Sequence, residues 1–271
     1  MDPRLRAILF LLSIPFAILL YWFVISAVRK ERRKKIMNLK FPDEWKSILQ
    51  KNLPPYSKLT ESVRRQLHGY INIFLAEKNF EGCGGLELND EIRVTIAAQA
   101  CMLLLNRKTR YYPRLRSVVV YPHTYVARGV NGQKSVRLGE SWNAGIVVLA
   151  WDSVKNGAIN FNDGHNVAFH EFAHQLDQED GNADGAPILE RFSCYASWAR
   201  ILSQEYRTLQ KKSQRGKKST MDRYGATNPA EFFAVATETF FEKPRQLSSK
   251  HPELYQELKH YYHLDPLEWE N

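Results

Sequence analysis

Twenty-two consecutive uncharged residues, Ala7 to Val28, restrict this chain more than any other feature. As a helix rising about 1.5 Å per residue they span roughly 33 Å, enough to cross the hydrocarbon core of a bilayer. Tyr21, Trp22 and Phe23 stand late in the run, where amphipathic rings favour the interface. Pro15 kinks such a helix at most, because membrane helices tolerate proline. The block Arg29-Lys30-Glu31-Arg32-Arg33-Lys34-Lys35 follows at once and reads as a stop-transfer flank. A cleaved signal peptide carries an apolar region of only about 7–15 residues, so residues 7–28 read as a retained membrane anchor. Six bases follow the span, against Arg4 and Arg6 before it, and the more basic flank stays cytoplasmic. The expectation is a single-pass protein of the bacterial inner membrane, with its N-terminus outside and residues 29–271 facing the cytoplasm.

The formal net charge of +9 points at first to nucleic acid or an acidic surface. Residues 1–40, however, hold nine bases and two acids, and the rest holds 29 bases and 27 acids. The basicity belongs to the anchor, and no nucleic-acid partner is expected. Cys83, Cys101 and Cys194 are too few and too scattered for a disulfide framework, and none forms a CxxC pair. They read as small buried apolar residues in a reducing compartment.

Three regions follow: an anchor with its basic flank at 1–35, a linker at 36–56, and a domain at 57–271. Thr60-Glu61-Ser62-Val63 opens a helix running to about Glu77, and Asn89-Asp90 precedes a buried helix from Ile92 to Leu105. Ser117 to Tyr121, Ser135 to Leu138 and Gly145 to Trp151 read as strands, the last two joined by Gly139-Glu140-Ser141-Trp142-Asn143-Ala144. From Gly164 onward the pattern is helical, with a polar break at 211–228. Helices, a few strands, then helices predict an α+β domain with a small sheet.

The chemistry concentrates in His170-Glu171-Phe172-Ala173-His174. On a helix, residues four apart share a face, so His170 and His174 can turn a ring nitrogen toward one metal ion. Glu171 lies beside the first of them, placed to act as general base toward a metal-activated water. Val167, Ala168, Phe169, Phe172, Ala173 and Leu176 make the flanks apolar, as a buried active-site helix requires. The bland alternative is two core histidines and a surface glutamate.

A zinc ion with an open fourth position needs a third protein ligand. Asp177 and Asp180 stand where HExxHxxGxxH would have its Gly and third His, so the candidate lies further on, in Tyr224 to Glu238. Asn228 is a good N-cap and Pro229 suits the first helical position. Glu231 then either closes a capping box with Asn228 or supplies the third ligand. Glu238, two turns along, lies on roughly the same face, about 10 Å further up the helix.

Asn79-Phe80-Glu81-Gly82-Cys83-Gly84-Gly85-Leu86, Arg93 to Ala100, Leu138 to Trp142, Gly164 to Asp184 and Asn228 to Ala236 together carry a resemblance. Over most of residues 75–245 the chain resembles the Mlc titration factor A (MtfA) family of zinc peptidases. Tyr224 to Ala234 is also similar to the metal site of the anthrax lethal factor protease domain. The resemblance implies a zincin-like metallopeptidase domain and Zn2+ held by His170, His174 and Glu231. It further implies Glu171 as general base and Tyr224 as a donor to the oxyanion. Aminopeptidase activity, a peptide or protein substrate and a regulatory protein partner come with it. The anchor departs from the soluble relatives, so a transcriptional repressor as partner is not carried over.

Asp177 reads as either an acceptor orienting a ligand ring or a surface carboxylate, and His165 as a residue at the helix start. The acidic stretch 177–185 lacks the spacing of a calcium loop and reads as a turn. Lys211 to Lys218 is either a solvated basic loop or a lipid- or partner-binding one. Two functions of different class stand: a peptidase, and a membrane-tethered regulatory protein that sequesters a partner. A structural zinc site has four protein ligands and no use for Glu171, which favours the enzyme.

Overall fold

The computed structural model describes residues 3–128, 134–137, 139–142 and 145–269. The chain divides into two compact units, Met1–Lys40 and Phe41–Asn271. The first is one helix, α1 (Pro3–Met37), with Pro15 inside it. Its part Ser13–Met37 is long and apolar enough to cross a membrane, and Phe16, Leu19, Trp22 and Phe23 lie exposed on it. A single helix satisfies its own backbone hydrogen bonds, and apolar side chains on all sides suit lipid, so α1 is a candidate span.

The second unit begins inside the segment expected as a linker. Helix α2 (Asp43–Asn52) buries Leu49, and Asn52 Nδ2 donates to Thr95 Oγ1 at 3.0 Å. One apolar stripe on a ten-residue helix is enough to dock it, whereas the Pro54-Pro55 pair opens a 3-10 turn. Helix α3 (Glu61–Glu77) starts at Thr60, whose Oγ1 accepts the Val63 N–H. After β1 (Asn79–Gly82), α4 (Asp90–Met102) starts at Asn89, whose Oδ1 accepts the Ile92 N–H at 3.0 Å. Every residue of α4 from Val94 to Met102 is buried, which explains its lack of a polar face.

Strands β2 (Ser117–Tyr121), β3 (Tyr125–Arg128), β4 (Lys134–Arg137), β5 (Gly139–Trp142) and β6 (Ile146–Ala150) follow. The sheet runs β1-β2-β6-β5, the first three parallel and β5 antiparallel along the edge beside β6. β3 and β4 form a separate antiparallel pair. Three of these strands differ from the sequence expectation. β1 and β3 have no counterpart in the strands expected from the sequence. The expected connection Gly139 to Trp142 is a strand, since its turn-like composition hides a pairing that β6 imposes from across the sheet. Leu138, Asn143 and Ala144, the ends of that expectation, lie outside the described residues.

Trp151 does not extend β6 but begins α5 (Trp151–Ile159). The remaining helices are α6 (Val167–Asp177), α7 (Cys194–Gln214), α8 (Pro229–Glu242), α9 (Pro244–Lys250) and α10 (Pro252–Tyr262). The basic run Lys211 to Gln214 thus ends α7 instead of opening a loop, and its lysines suit the negative end of the helix dipole. The domain is mostly helical, with one small sheet whose edge strand β5 and neighbour β6 both pack on α6.

Candidate metal centre

Helix α6 is placed by its apolar side. Phe172 stacks edge-on against Phe74 at 5.7 Å and tilts against Tyr112 at 5.4 Å between ring centres, and Phe169 meets Phe241 at 5.0 Å. Full burial of each ring contributes roughly 2–3 kcal/mol. This seats the helix with His170 and His174 on the side that faces α8. The start of α6 is closed by Asn166, whose Oδ1 accepts the Phe169 N–H at 3.0 Å. Two carboxylates from α8 finish the work. Glu242 Oε2 accepts the Gly164 and His165 N–H groups at 2.9 and 3.1 Å, and Glu238 Oε2 accepts the Asn166 N–H at 2.6 Å. The first backbone N–H groups of a helix have no helical partners, and these side-chain oxygens satisfy three of the groups at this end.

Helix α8 begins as its sequence suggests, with the Glu231 N–H donating to Asn228 Oδ1 at 2.9 Å and Pro229 at the first turn. The Glu231 carboxylate goes elsewhere. Its Oε2 lies 2.9 Å from His170 Nε2 and 3.3 Å from His174 Nε2, and the two Nε2 atoms are 3.2 Å apart. Tetrahedral zinc with bonds of about 2.1 Å holds its donors about 3.3–3.4 Å apart, so the three atoms need to open by at most about half an ångström to take one such ion. Among the described residues this is the one His/Cys/Asp/Glu group of three whose donor atoms converge within 4.8 Å.

Electrostatics agrees with a cation at that point. Burial works against a charged His170, but the carboxylates of Glu231 and Glu238 outweigh it and hold the imidazole well above its usual range. Burial likewise works to raise Glu231, but His170 and His174 outweigh it and hold its carboxyl well below the ordinary range. Positive charge is favoured between these side chains, whether it comes as protons or as a metal.

Glu238 takes a place that sequence spacing did not assign. Its Oε1 lies 2.8 Å from His170 Nδ1, so the two glutamates of α8 grip opposite nitrogens of one ring. The ring bridges much of the two-turn offset that made the carboxylates look like alternatives. Such a contact fixes the ring and leaves Nε2 as the donor. The only sequence signal for it is the seven-residue interval from Glu231.

Glu171 is 5% exposed and sits beneath the edge strand. A Cβ on Gly139 would stand 2.7 Å from Glu171 Cγ and 2.8 Å from its Oε1, so β5 passes this close only because residue 139 is glycine. Tyr224 lies in a 3-10 turn, Arg223–Ala226, packed against α8, with its ring centre 5.8 Å from that of His170 and half its surface open. Asp177 is not a surface group. It is fully buried, its Oδ2 accepts the Gly185 N–H at 2.9 Å, and burial pushes its carboxyl up to about 6. His165 stands just before α6, as expected, and its ring lies 3.7 Å from Asp222.

The family model described as glucose-regulated metallo-peptidase M90 matches residues 27–263. A Synechocystis protein, slr2042, is 43% identical over 245 residues, covering 87% of this chain and 89% of its own length. Mlc titration factor A of Klebsiella pneumoniae is 30% identical over 227 residues, covering 80% and 84%. Mlc titration factor A of Escherichia coli O127:H6 is 29% identical over 235 residues, covering 83% and 87%.

Proposed function

The chain belongs to the glucose-regulated metallo-peptidase M90 family, and from that premise we propose that it is a membrane-anchored zinc peptidase acting through His170, His174, Glu231, Glu171 and Tyr224. The observation that carries this reading is the convergence of three donor atoms beside a buried Glu171 and beneath an edge strand.

Bound zinc would supply a Lewis acid that acidifies water and polarises a peptide carbonyl. His170, His174 and Glu231 would hold it, with Glu238 at His170 Nδ1 keeping that ring aimed. Glu171 takes the proton of the attacking water on a carboxylate oxygen and returns it to the leaving amine. Tyr224 donates its hydroxyl proton in a hydrogen bond to the developing oxyanion. β5, the outermost strand on its side of the sheet among the described residues, would orient an extended peptide as an added strand. We read this arrangement as a zincin-like domain, and the resemblance to the MtfA family adds aminopeptidase action as the mode to test first. Residues 7–28 tether it to the inner membrane with residues 29–271 in the cytoplasm.

A second reading draws on the relatives named Mlc titration factor A, a name that describes sequestration of a partner. In that reading the protein holds a regulatory protein such as a transcriptional repressor, and catalysis is dispensable.

The deciding experiment is peptide-library cleavage by the full chain in detergent, with metal content measured on the same sample. One zinc per chain and cleavage abolished in Glu171→Gln are expected. Cleavage that survives Glu171→Gln would sink the peptidase assignment.

A further inference from the structure

Away from the metal centre the second unit carries a cleft of about 570 Å3. That volume is in the range of sites for small molecules. Its walls come from the end of α4's following loop, from residues 188–191, and from α7 and α10. Ile188, Trp198 and Tyr261 make one side apolar, with the Trp198 and Tyr261 rings 5.3 Å apart.

Arg107, Lys108 and Arg191 line the same cleft. Two carboxylates face them, Glu190 and Glu257, and Glu190 Oε1 is already 3.2 Å from His263 Nε2. Among the residues that line it bases outnumber acids, although Glu179, outside the cleft, offsets part of the Arg107 charge. Arg107 is the most firmly held of the three, with its guanidinium 3.9 Å over the Tyr261 ring and hydrogen-bonded to that residue.

The cleft is also wired to the metal centre. Trp198 Nε1 donates to the Gly185 carbonyl at 3.0 Å, and the Gly185 N–H donates to Asp177, three residues after His174 on α6. The Trp198 ring meets Phe233 edge-on at 5.8 Å, two residues after Glu231 on α8. One side chain thus reports the cleft to both helices that bear the donor atoms.

We propose that this cleft is a second ligand site, for a small organic anion with an apolar or aromatic body, and that its occupancy alters turnover at the metal centre. The anion sits against Arg107, Lys108 and Arg191, and its body against Trp198 and Ile188. A carboxylate and a phosphate monoester share this chemistry, since either accepts paired N–H groups from a guanidinium.

Calorimetry on the full zinc-loaded chain in neutral detergent tests the site with 3-phenylpropionate, phenyl phosphate and the uncharged 3-phenylpropanamide. At least one anion should bind with a Kd of about 1 mM or tighter, which a ligand of this size can reach. The amide should bind at least about tenfold more weakly, and so should both anions to the exposed-residue variant Lys108→Glu/Arg191→Glu. Whichever anion binds identifies the head group. No binding of either anion at 10-fold higher concentration, equal binding of the amide, or full binding by the double variant each overturns the site. The regulatory clause rests on the peptidase reading. It expects at least a twofold change in peptide turnover at saturating anion, absent in the double variant, and unchanged turnover in the active protein overturns it. Should the chain cleave no peptide, calorimetry still decides the site, so the two failures are distinguishable.

Discussion

Glutamine at position 171 keeps the shape of glutamate and removes its proton acceptor. Glu171→Gln is therefore expected to retain zinc and fold while turnover falls by about two to four orders of magnitude. The two glutamates of α8 should part company. Glu231→Ala removes a donor atom and should lose the metal. Glu238→Ala removes the partner of His170 Nδ1 and the acceptor of the Asn166 N–H but no donor atom, so zinc should remain but bind about 10–100-fold more weakly. Tyr224→Phe should keep full zinc content and lose about two to three orders of magnitude in turnover. Metal analysis and kinetics on the three variants separate these roles, and full zinc content in Glu231→Ala would remove it from the donor set. Gly139 offers a further check, because any side chain there meets Glu171 and Val167 at 2.7–2.8 Å. Gly139→Val should depress turnover more than it lowers the melting temperature.

At the scale of elements, the decisive contact is α6 on α8. Three backbone N–H groups at the start of α6 end on Glu238 and Glu242, one turn apart on α8, so the two helices are joined by hydrogen bonds as well as by Phe169 on Phe241. Burial pushes the Glu242 carboxyl up to about 8, and Glu238 and Asp163 add to the push. The folded state therefore holds a proton there that the unfolded chain, with an ordinary value of 4.5, releases. The corresponding stability is fully present below pH 4.5 and is lost as pH rises toward 8. Glu242→Gln keeps an acceptor for Gly164 and His165 and cannot ionise. Denaturant unfolding of the two proteins between pH 5 and 8 should show a shallower decline for the variant. Parallel slopes would mean that Glu242 does not titrate in this range.

The whole molecule is an exposed apolar helix in sequence with a mostly helical second unit. If α1 crosses the membrane with its basic end inside, a reporter at Asn271 should behave as cytoplasmic. A membrane-impermeant thiol reagent should then leave the partly exposed Cys194 unlabelled in intact cells and label it after lysis. Labelling of intact cells would reverse the orientation. Changing Arg29 to Lys35 from basic to acidic should scramble the reporter signal, because loop charge next to the span sets its direction.

Local features were legible in the chain alone because their physics is local. The uncharged run, the caps Thr60, Asn89 and Asn228, and the i, i+4 spacing of His170 and His174 each depend on neighbours within about two helical turns. What needed the tertiary structure depends on partners far off in sequence. Glu231 stands 61 residues from His170, and only the packing of α6 on α8 brings its oxygen to 2.9 Å from that ring. Glu238 as the holder of His170 and Gly139 as the gap above Glu171 are decided by the same packing. β1 and β5 became strands through pairings with β2 and β6, partners some 38 and up to ten residues away in the chain. The sequence by itself determined which side chains have the chemistry. The fold decided which of them meet, because side-chain contacts across helices and strands depend on how whole elements pack and not on the order of residues within them.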